Sequence, residues 1–343
     1  MRAARFDAAD RSLRVVDVPL REPEPHEVVV RVQACGVCLS DVHLIDGSLP
    51  ASLPVVTPGH EPAGVIERVG SAVSYWQPGQ RVLMQAGRTC MTCRNCAAGR
   101  PDNCETVQIM GFGYDGAWAE FVVVPGTTLV PVPDTVPIEQ AAILADAVST
   151  PYAALLERAA LRPAEAVGIW GVGGLGFHAV KLARLMGAAP IIALDPLEDA
   201  RKRALRAGAD IAVDPTAATA IIEVREATGG SGLDVALDVV GSVAVLQQAE
   251  ACLARRGRLV MVGMSMEPTQ LGPGALFSVQ SQTLLGHLGY AKAHLEQLVR
   301  LVESGRLDLS DSITDIVPLD EVPDAVERLA TKRDNPIRLV VRP

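Results

Sequence analysis

Four cysteines in one short run constrain this chain more than any other feature. Cys90, Cys93, Cys96 and Cys104 follow one another with the spacing C-x2-C-x2-C-x7-C. Thiolates this close, in a loop between predicted strands, can converge on one tetrahedral zinc ion. Two disulfides are the alternative, but the first residues lack the apolar core of a signal peptide and the other cysteines are scattered. We therefore predict a closed structural zinc site in a lobe at about residues 86–106.

Length and charge set broad limits on fold and function. A chain of 343 residues can form two domains, each with its own hydrophobic core. A net charge of -9 and the lack of a basic cluster argue against nucleic acid as a partner. No run of 18 apolar residues occurs, so we expect no membrane partner. Free thiols beside a zinc cluster favour a reducing, cytoplasmic location.

The pattern of apolar segments changes near residue 150. Before it, short apolar runs separated by glycine and proline predict strands of a small, partly open β-barrel. After it, strands alternate with helices, which indicates a parallel sheet covered on both faces. The predicted strands of that sheet lie at 166–170, 190–195, 209–214, 233–240, 257–264 and 283–289. The predicted helices between them end near 187 and 208 or lie near 217–228 and 243–254, with a further helix at about 291–304.

A glycine-rich turn predicts a dinucleotide site of the Rossmann type. The segment Gly171-Val172-Gly173-Gly174-Leu175-Gly176 follows a predicted strand and opens a predicted helix. Its glycines, with Leu175 between them, let the backbone approach a pyrophosphate at the helix N-terminus. The next strand ends in Asp195, whose carboxylate would accept hydrogen bonds from the ribose 2'-hydroxyl and repel a 2'-phosphate. We therefore predict NAD rather than NADP, although Arg201 and Lys202 lie close enough in sequence to soften that choice.

Three residues from separate segments form a candidate open metal site. Cys38, His60 and Asp146 offer a thiolate, an imidazole and a carboxylate, which can bind zinc and leave a fourth position free. Each residue alone has a simpler explanation. Cys38 would be a buried small side chain, His60 a hydrogen-bonded core histidine and Asp146 a helix cap.

Taken together, these motifs resemble the zinc-dependent medium-chain alcohol dehydrogenases along nearly the whole chain. The segments GVCLSDVH, GHEPAG, the four-cysteine lobe, DAVSTPY, GVGGLG and IRLVV occur in the order of that family. The resemblance implies an α/β architecture: a GroES-like barrel domain at 1–149 and 288–343, and a Rossmann NAD-binding domain at 150–287. It also implies two zinc ions per chain, with Asp146 as the third catalytic ligand, as in a bacterial branch of the family.

The resemblance further implies roles for residues around the catalytic zinc. Glu61 matches a glutamate that transiently binds the metal in some members, and Asp41 would orient the ring of His60. Arg338 would reach the cofactor or Asp41. Ser40 and His43 would relay the alcohol proton to solvent, a task suited to a histidine that titrates near neutral pH.

The substrate pocket is less well defined by the sequence. By family position, its lining would come from Ala86, Tyr114, Trp118 and residues 287–290, although both aromatic residues have an equal claim to core packing. The small Ala86 would leave room beside the metal. Kinship also implies a homodimer or homotetramer that pairs through the apolar edge strand 283–289.

These observations predict an NAD-dependent zinc alcohol dehydrogenase acting on a small alcohol, aldehyde or ketone. The alternatives within the superfamily are a polyol or sugar dehydrogenase, which often has glutamate as the third ligand and lacks the cysteine lobe, and a threonine-type dehydrogenase. A non-catalytic dinucleotide-binding protein is a further alternative. It would be expected to lose Cys38, His60 or the cysteine lobe, and all of these are present.

Overall fold

The computed structural model describes residues 1–343, apart from the side chain of Asp102. The chain divides into two compact units, here called unit 1 (Met1–Ser149 with Tyr290–Pro343) and unit 2 (Thr150–Gly289). The strands, in chain order, are β1 (Arg2–Asp7), β2 (Ser12–Asp17), β3 (Glu27–Val37), β4 (Val55–Val56), β5 (Glu61–Val69), β6 (Arg81–Met84), β7 (Gly87–Arg88), β8 (Gln108–Ile109), β9 (Phe121–Pro125), β10 (Leu129–Pro131), β11 (Val167–Trp170), β12 (Ile191–Leu194), β13 (Ile211–Val213), β14 (Leu233–Asp238), β15 (Leu253–Met261), β16 (Thr283–Gly286), β17 (Ile313–Pro318) and β18 (Arg338–Arg342).

The helices differ in type as well as in length. The α-helices are α1 (Leu39–Asp46), α2 (Arg94–Ala97), α3 (Ile138–Ile143), α4 (Ser149–Ala153), α5 (Gly174–Leu185), α6 (Glu198–Ala207), α7 (Ala220–Ala227), α8 (Val243–Cys252), α9 (Gly274–Gln280), α10 (Lys292–Glu303) and α11 (Val322–Ala330). Short 3₁₀ turns lie at Pro101–Asn103, Gly126–Thr128 and Leu319–Glu321. Two π-helical turns, Leu144–Val148 and Ala154–Arg158, flank α4.

Unit 1 is built on a curved sheet with the strand order β10-β6-β5-β3-β18-β17, and β9 also pairs with β3. The long strand β3 has buried side chains at most positions, because β5, β9 and β18 all hydrogen-bond to it. A smaller sheet, β2-β1-β4, and the pair β7-β8 complete the unit. The ordered path of strands does not close on itself, so unit 1 is a partly open barrel, as predicted.

Unit 2 contains a six-stranded sheet in the order β13-β12-β11-β14-β15-β16, with every neighbouring pair parallel. This is the strand order of a Rossmann fold: successive strands are added on one side of the first strand, β11, and then on its other side. Strands β11 and β12 are buried along their whole length, which explains their continuous apolar sequences.

The predicted elements of unit 2 are present with shifted ends. The strand expected at 283–289 ends at Gly286, and the strand expected from 257 begins at Leu253, directly after α8. Helix α9 has no counterpart among the predicted elements. The sequence places the second boundary between the domains at 287/288, slightly before the boundary at Gly289 and Tyr290. None of the helices in the described part of the chain is long and apolar enough to span a bilayer.

Candidate metal centres and dinucleotide site

One buried carboxylate organises the start of the first site. Strand β3 ends at Val37, and α1 begins after Cys38. Asp41, in the first turn of α1, is fully buried, and its Oδ2 accepts a hydrogen bond of 2.9 Å from the backbone N–H of Cys38. Its Oδ1 lies 3.3 Å from Gly59 N and 3.1 Å from His60 Nδ1. Asp41 therefore caps the helix and links two segments that are distant in the sequence.

The contact between Asp41 and His60 also determines which ring nitrogen is free. An ionised carboxylate can only accept hydrogen bonds, so His60 Nδ1 carries a proton, and in the neutral ring the lone pair is on Nε2. His60 is buried at the start of β5, and its ring packs against Phe112 with a centroid distance of 5.5 Å. Burial lowers the pKa of His60, but Asp41 and Asp146 outweigh it and raise this pKa well above the ordinary value. His60 thus lies among anionic groups that also attract a cation.

Asp146 completes a donor set that can bind a metal ion. Its Oδ2 lies 3.4 Å from Cys38 Sγ and 3.6 Å from His60 Nε2. Ligands around a tetrahedral zinc ion, at bond lengths of about 2.0–2.3 Å, are separated by about 3.3–3.8 Å. Asp146 belongs to the π-helical turn Leu144–Val148 rather than capping a helix. Such turns redirect a side chain relative to a regular α-helix, and they are common at functional sites.

Glu61 lies beside this donor set and is fully buried. Arg338 Nη2 lies 3.3 Å from Glu61 Oε1, and Arg338 Nη1 donates a hydrogen bond of 2.9 Å to Val37 O. Burial raises the pKa of Glu61 to about 8, with Arg338 opposing that shift and Asp146 adding to it. Both Glu61 oxygens lack a hydrogen bond from any described residue. The positive charge of Arg338 thus lies close to the carboxylates of both Glu61 and Asp146. A divalent cation would stabilise the negative charge that Arg338 alone does not balance.

The expectation that Arg338 reaches Asp41 is wrong. The Asp41 carboxylate is already occupied by Cys38, Gly59 and His60, and Arg338 pairs with Glu61 instead. Arg338 is only 2% exposed, so its guanidinium serves the buried Glu61 rather than an open ligand surface. A contact between Arg338 and the cofactor stays a prediction.

The two residues assigned to proton transfer lie on α1. Ser40 Oγ is 3.7 Å from Cys38 Sγ, so the hydroxyl is adjacent to the donor set. His43 follows three residues later, on the same face of the helix, since residues at this spacing are neighbours. Both side chains are half-buried. The structure thus places Ser40 beside the donor set and His43 one helical turn away.

The four cysteines of the lobe form a second donor set. All are free thiols, and their sulfurs lie within 4.8 Å of one another, with Cys90 Sγ and Cys104 Sγ 3.5 Å apart. The backbone N–H of Cys93 donates to Cys90 Sγ at 3.2 Å. Hydrogen bonding, led by the Thr106 hydroxyl, lowers the pKa of Cys90 to about 5, whereas burial and the neighbouring thiols raise that of Cys96 to about 12. Four such sulfurs ionise together only with a cation between them, which fits zinc.

Two of the predicted pocket residues have other roles. Trp118 is completely buried, donates a hydrogen bond from Nε1 to Gly36 O at 3.2 Å, and packs under Gly59, where a Cβ atom would lie 2.5 Å from its ring. It is a core residue. Ala86 holds Tyr290, because its backbone N–H donates a hydrogen bond of 3.2 Å to Tyr290 Oη. The sequence alone could not indicate that contact, since the two residues are distant along the chain.

The glycine turn of unit 2 has the geometry of a dinucleotide loop. Gly171 has a φ of +86°, which a side chain would disfavour. A Cβ atom on Gly176 would lie 1.7 Å from Gly171 O, so only glycine allows this close approach. Gly173 is exposed, and a Cβ atom placed on it would meet nothing within 4 Å, which leaves room for a phosphate at the start of α5.

Asp195 follows β12 and connects it to the glycine turn. Its Oδ2 accepts a hydrogen bond of 2.8 Å from Val172 N, and its Oδ1 accepts one of 2.9 Å from Leu197 N. Arg201 donates to the Asp195 carbonyl and pairs with Asp214 at 3.3 Å, whereas Lys202 pairs with Glu198 at 2.7 Å. The two basic residues therefore have acidic partners of their own. Arg203 Nη2 donates a hydrogen bond of 2.8 Å to Val172 O, so a guanidinium and the Asp195 carboxylate both contact the turn.

A Rossmann sheet in one unit and a thiolate–imidazole–carboxylate donor set in the other characterise a dinucleotide-dependent metalloenzyme. The model of the alcohol dehydrogenase GroES-like domain matches residues 24–134, and that of zinc-binding dehydrogenases matches residues 174–304. The chain is 32% identical over 334 residues to an alcohol dehydrogenase of Geobacillus stearothermophilus, with 96% of each chain covered. It is 31% identical to an NAD-dependent alcohol dehydrogenase of Sulfurisphaera tokodaii, again with 96% of each covered.

Comparison with a solved structure shows the same relationship at the level of the fold. The alcohol dehydrogenase TADH from Thermus sp. ATN1 superposes with a TM-score of 0.92 at 30% identity, covering 100% of this chain and 99% of the other. The chain belongs to the zinc-dependent medium-chain alcohol dehydrogenase family.

Proposed function

We propose that this protein is an NAD-dependent zinc alcohol dehydrogenase that interconverts an alcohol with its aldehyde or ketone. The observation that carries the proposal is the donor set Cys38, His60 and Asp146, with separations of 3.4 Å and 3.6 Å to the Asp146 carboxylate. Three protein ligands with one position left open are typical of a catalytic zinc site. A closed structural site would need no such opening.

Each residue has a role in this proposal. Cys38, His60 and Asp146 would hold a zinc ion, which supplies Lewis acidity that makes an alcohol hydroxyl easier to deprotonate. Ser40 Oγ would accept the hydroxyl proton as its own proton leaves through the nicotinamide ribose to His43, which would pass a proton to solvent. Glu61, which is paired with Arg338, belongs to the same cluster and would bind the metal ion transiently. Cys90, Cys93, Cys96 and Cys104 would bind the second zinc ion, whose role is to stabilise the lobe.

The cofactor preference follows from the end of β12. NAD, bound at the glycine turn Gly171 to Gly176, supplies the hydride acceptor for alcohol oxidation. The Asp195 carboxylate would accept hydrogen bonds from the ribose and repel the 2'-phosphate of NADP. The Sulfurisphaera tokodaii relative is described as NAD-dependent, which supports the same choice here.

Location and assembly form part of the proposal. All seven cysteines are free thiols, as expected for a protein of the reducing cytoplasm. Strand β16 is the last strand of its sheet, and Leu276, Val279 and Leu288 nearby are 60%, 65% and 77% exposed. An apolar edge favours pairing with a second copy, so we propose a homodimer or homotetramer.

Initial rates with a panel of alcohols test the function directly. Primary, secondary and cyclic alcohols, a polyol and threonine are each offered with NAD and with NADP, before and after treatment with a chelator. We expect NAD reduction with simple alcohols, loss of that activity on zinc removal and recovery on zinc addition. Activity with the polyol or threonine alone would favour one of the related dehydrogenases, and no NAD reduction with any substrate would refute the proposal.

A further inference from the structure

Two tyrosine hydroxyls from different parts of the chain hydrogen-bond to the backbone of Ala86 in unit 1. Tyr114 Oη donates a hydrogen bond of 3.0 Å to Ala86 O. Tyr290 Oη accepts one of 3.2 Å from Ala86 N. The carbonyl of Tyr290 is also within 3.4 Å of Gln85 Nε2. The tyrosine at 290 is therefore fixed to the segment that follows β6 by both its side chain and its backbone.

The two hydroxyls differ in which hydrogen-bonding group remains unused. A phenol has one proton to donate and lone pairs that can accept. Tyr114 uses its proton on the Ala86 carbonyl, whereas Tyr290 uses a lone pair on the Ala86 N–H and keeps its proton. Among the described residues, the bond from Ala86 N is the only hydrogen bond that Tyr290 Oη makes. Tyr290 is half-buried.

Tyr290 lies close to the donor set of the proposed catalytic zinc. Helix α10 begins just after Tyr290 and packs against the π-helical turn that carries Asp146, and β6, just before Ala86, packs against the same turn. Burial raises the pKa of Tyr290, and the charges of Asp146 and Glu61 add to that shift while His60 opposes it. The phenol therefore stays protonated and keeps its donor at neutral pH.

We propose that Tyr290 is a specificity-determining residue whose hydroxyl donates a hydrogen bond to a second oxygen of the substrate. The preferred substrates would then be alcohols with a neutral oxygen near the reacting carbon, such as vicinal diols and α-hydroxy ketones. This inference rests on the proposed alcohol dehydrogenase activity, and it extends that activity by naming the substrate class.

Two considerations select this class. In the proposed function the reacting oxygen would be bound by the metal ion and by Ser40, which is adjacent to the donor set and on a different element from Tyr290, so the Tyr290 donor is left for another acceptor. The acceptor should be neutral, because Glu61 and Asp146 would repel a carboxylate brought to the same place. A pocket that offers a hydrogen bond discriminates against a substrate that lacks the matching group, since a buried donor is then left unpaired.

The test compares butane-2,3-diol with butan-2-ol, which differ by one hydroxyl. The unmodified enzyme should have the higher kcat/KM for the diol. Tyr290→Phe keeps the ring and removes the hydroxyl, and it should reduce the ratio of the two kcat/KM values by about three- to tenfold, the equivalent of one neutral hydrogen bond. Tyr114→Phe is the matched control, because the Tyr114 proton is already donated to Ala86 O and is not available to a substrate, so its loss should leave the ratio unchanged.

The outcomes separate this inference from the function on which it rests. An enzyme that oxidises butan-2-ol as well as the diol, with a ratio that Tyr290→Phe does not alter, is an alcohol dehydrogenase for which the inference about Tyr290 is wrong. An equal fall of the ratio in Tyr114→Phe would also overturn it, because the effect would then belong to the position of the Ala86 peptide. No oxidation of any alcohol would refute both proposals.

Discussion

The Asp41 carboxylate lies 3.1 Å from His60 Nδ1 and 2.9 Å from the backbone nitrogen of Cys38, so one buried side chain positions two of the proposed zinc ligands. It fixes the His60 ring with Nε2 towards Asp146, and it fixes the first turn of α1 beside the Cys38 thiol. The candidate site is therefore organised by the protein's own hydrogen bonds.

Replacing Asp41 by Ala should weaken metal binding at the catalytic site alone. Partners that orient a ligating histidine typically contribute about 10- to 100-fold in metal affinity. We expect metal analysis of the dialysed variant to show loss of one zinc ion, with the zinc of the cysteine lobe retained. An exposed acid on unit 1, Glu22, provides the control as Glu22→Ala. Retention of both ions and of full activity in Asp41→Ala would contradict this role.

The two donor sets should respond differently to ligand loss. Cys96→Ser removes one of four thiolates from a closed site, so zinc content and melting temperature should fall together. Asp146→Asn removes a ligand from the open site, and it should abolish activity with a much smaller change in melting temperature. Thermal unfolding and metal analysis of both variants check this difference. Equal destabilisation by the two substitutions would argue against separate structural and catalytic sites.

Cofactor choice should depend on the charge of Asp195. Asp195→Asn keeps an oxygen that can accept from the backbone N–H of Leu197 but removes the charge that opposes a 2'-phosphate. The kcat/KM ratio of NADP to NAD should rise by about tenfold, which corresponds to about 1.4 kcal/mol. Asp199→Asn, at an exposed position on α6, removes the same charge nearby and should leave the ratio unchanged. A preference of the unmodified enzyme for NADP would show that this carboxylate does not set the choice.

The proton path predicts a large effect at Ser40. Its hydroxyl is 3.7 Å from Cys38 Sγ, next to where the substrate hydroxyl must react. Positioned acid–base groups typically contribute about 10²- to 10⁴-fold, so Ser40→Ala should lose at least about 10²-fold in kcat/KM. Zinc content and NAD affinity should stay close to those of the unmodified enzyme, which separates a chemical defect from a binding defect. Normal rates in Ser40→Ala would remove this residue from the mechanism.

The sequence was most informative where the spacing of residues within one short segment limits the local backbone structure. The spacing of Cys90 to Cys104 and the turn from Gly171 to Gly176 are local patterns, and local patterns limit what the backbone can do. The parallel sheet could therefore be predicted, and so could a cluster of four cysteines. Cys38, His60 and Asp146 lie on separate segments, and only their resemblance to a family suggested that they belong together. The roles of the individual site residues remain predictions for the experiments above.

What the sequence did not reveal depends on contacts between distant segments. The pairing of Arg338 with Glu61 depends on Asp41 being occupied by other partners, which no local pattern records. The position of Tyr290 against Ala86 likewise joins residues that are far apart in the chain. Trp118 could be interpreted as a pocket residue until its burial beneath Gly59 was known.

The π-helical turn at Leu144–Val148 has a consequence for how the donor set could have arisen. A π-turn contains one residue more than a regular α-helical turn, and one residue corresponds to a rotation of about 100° around the helix axis. Deleting a residue from this turn would restore an ordinary helix and carry Asp146 away from Cys38 and His60. A single-residue insertion in an unbroken helix would be enough to supply the third ligand, so the metal centre could have been gained, or could be lost, in one genetic step.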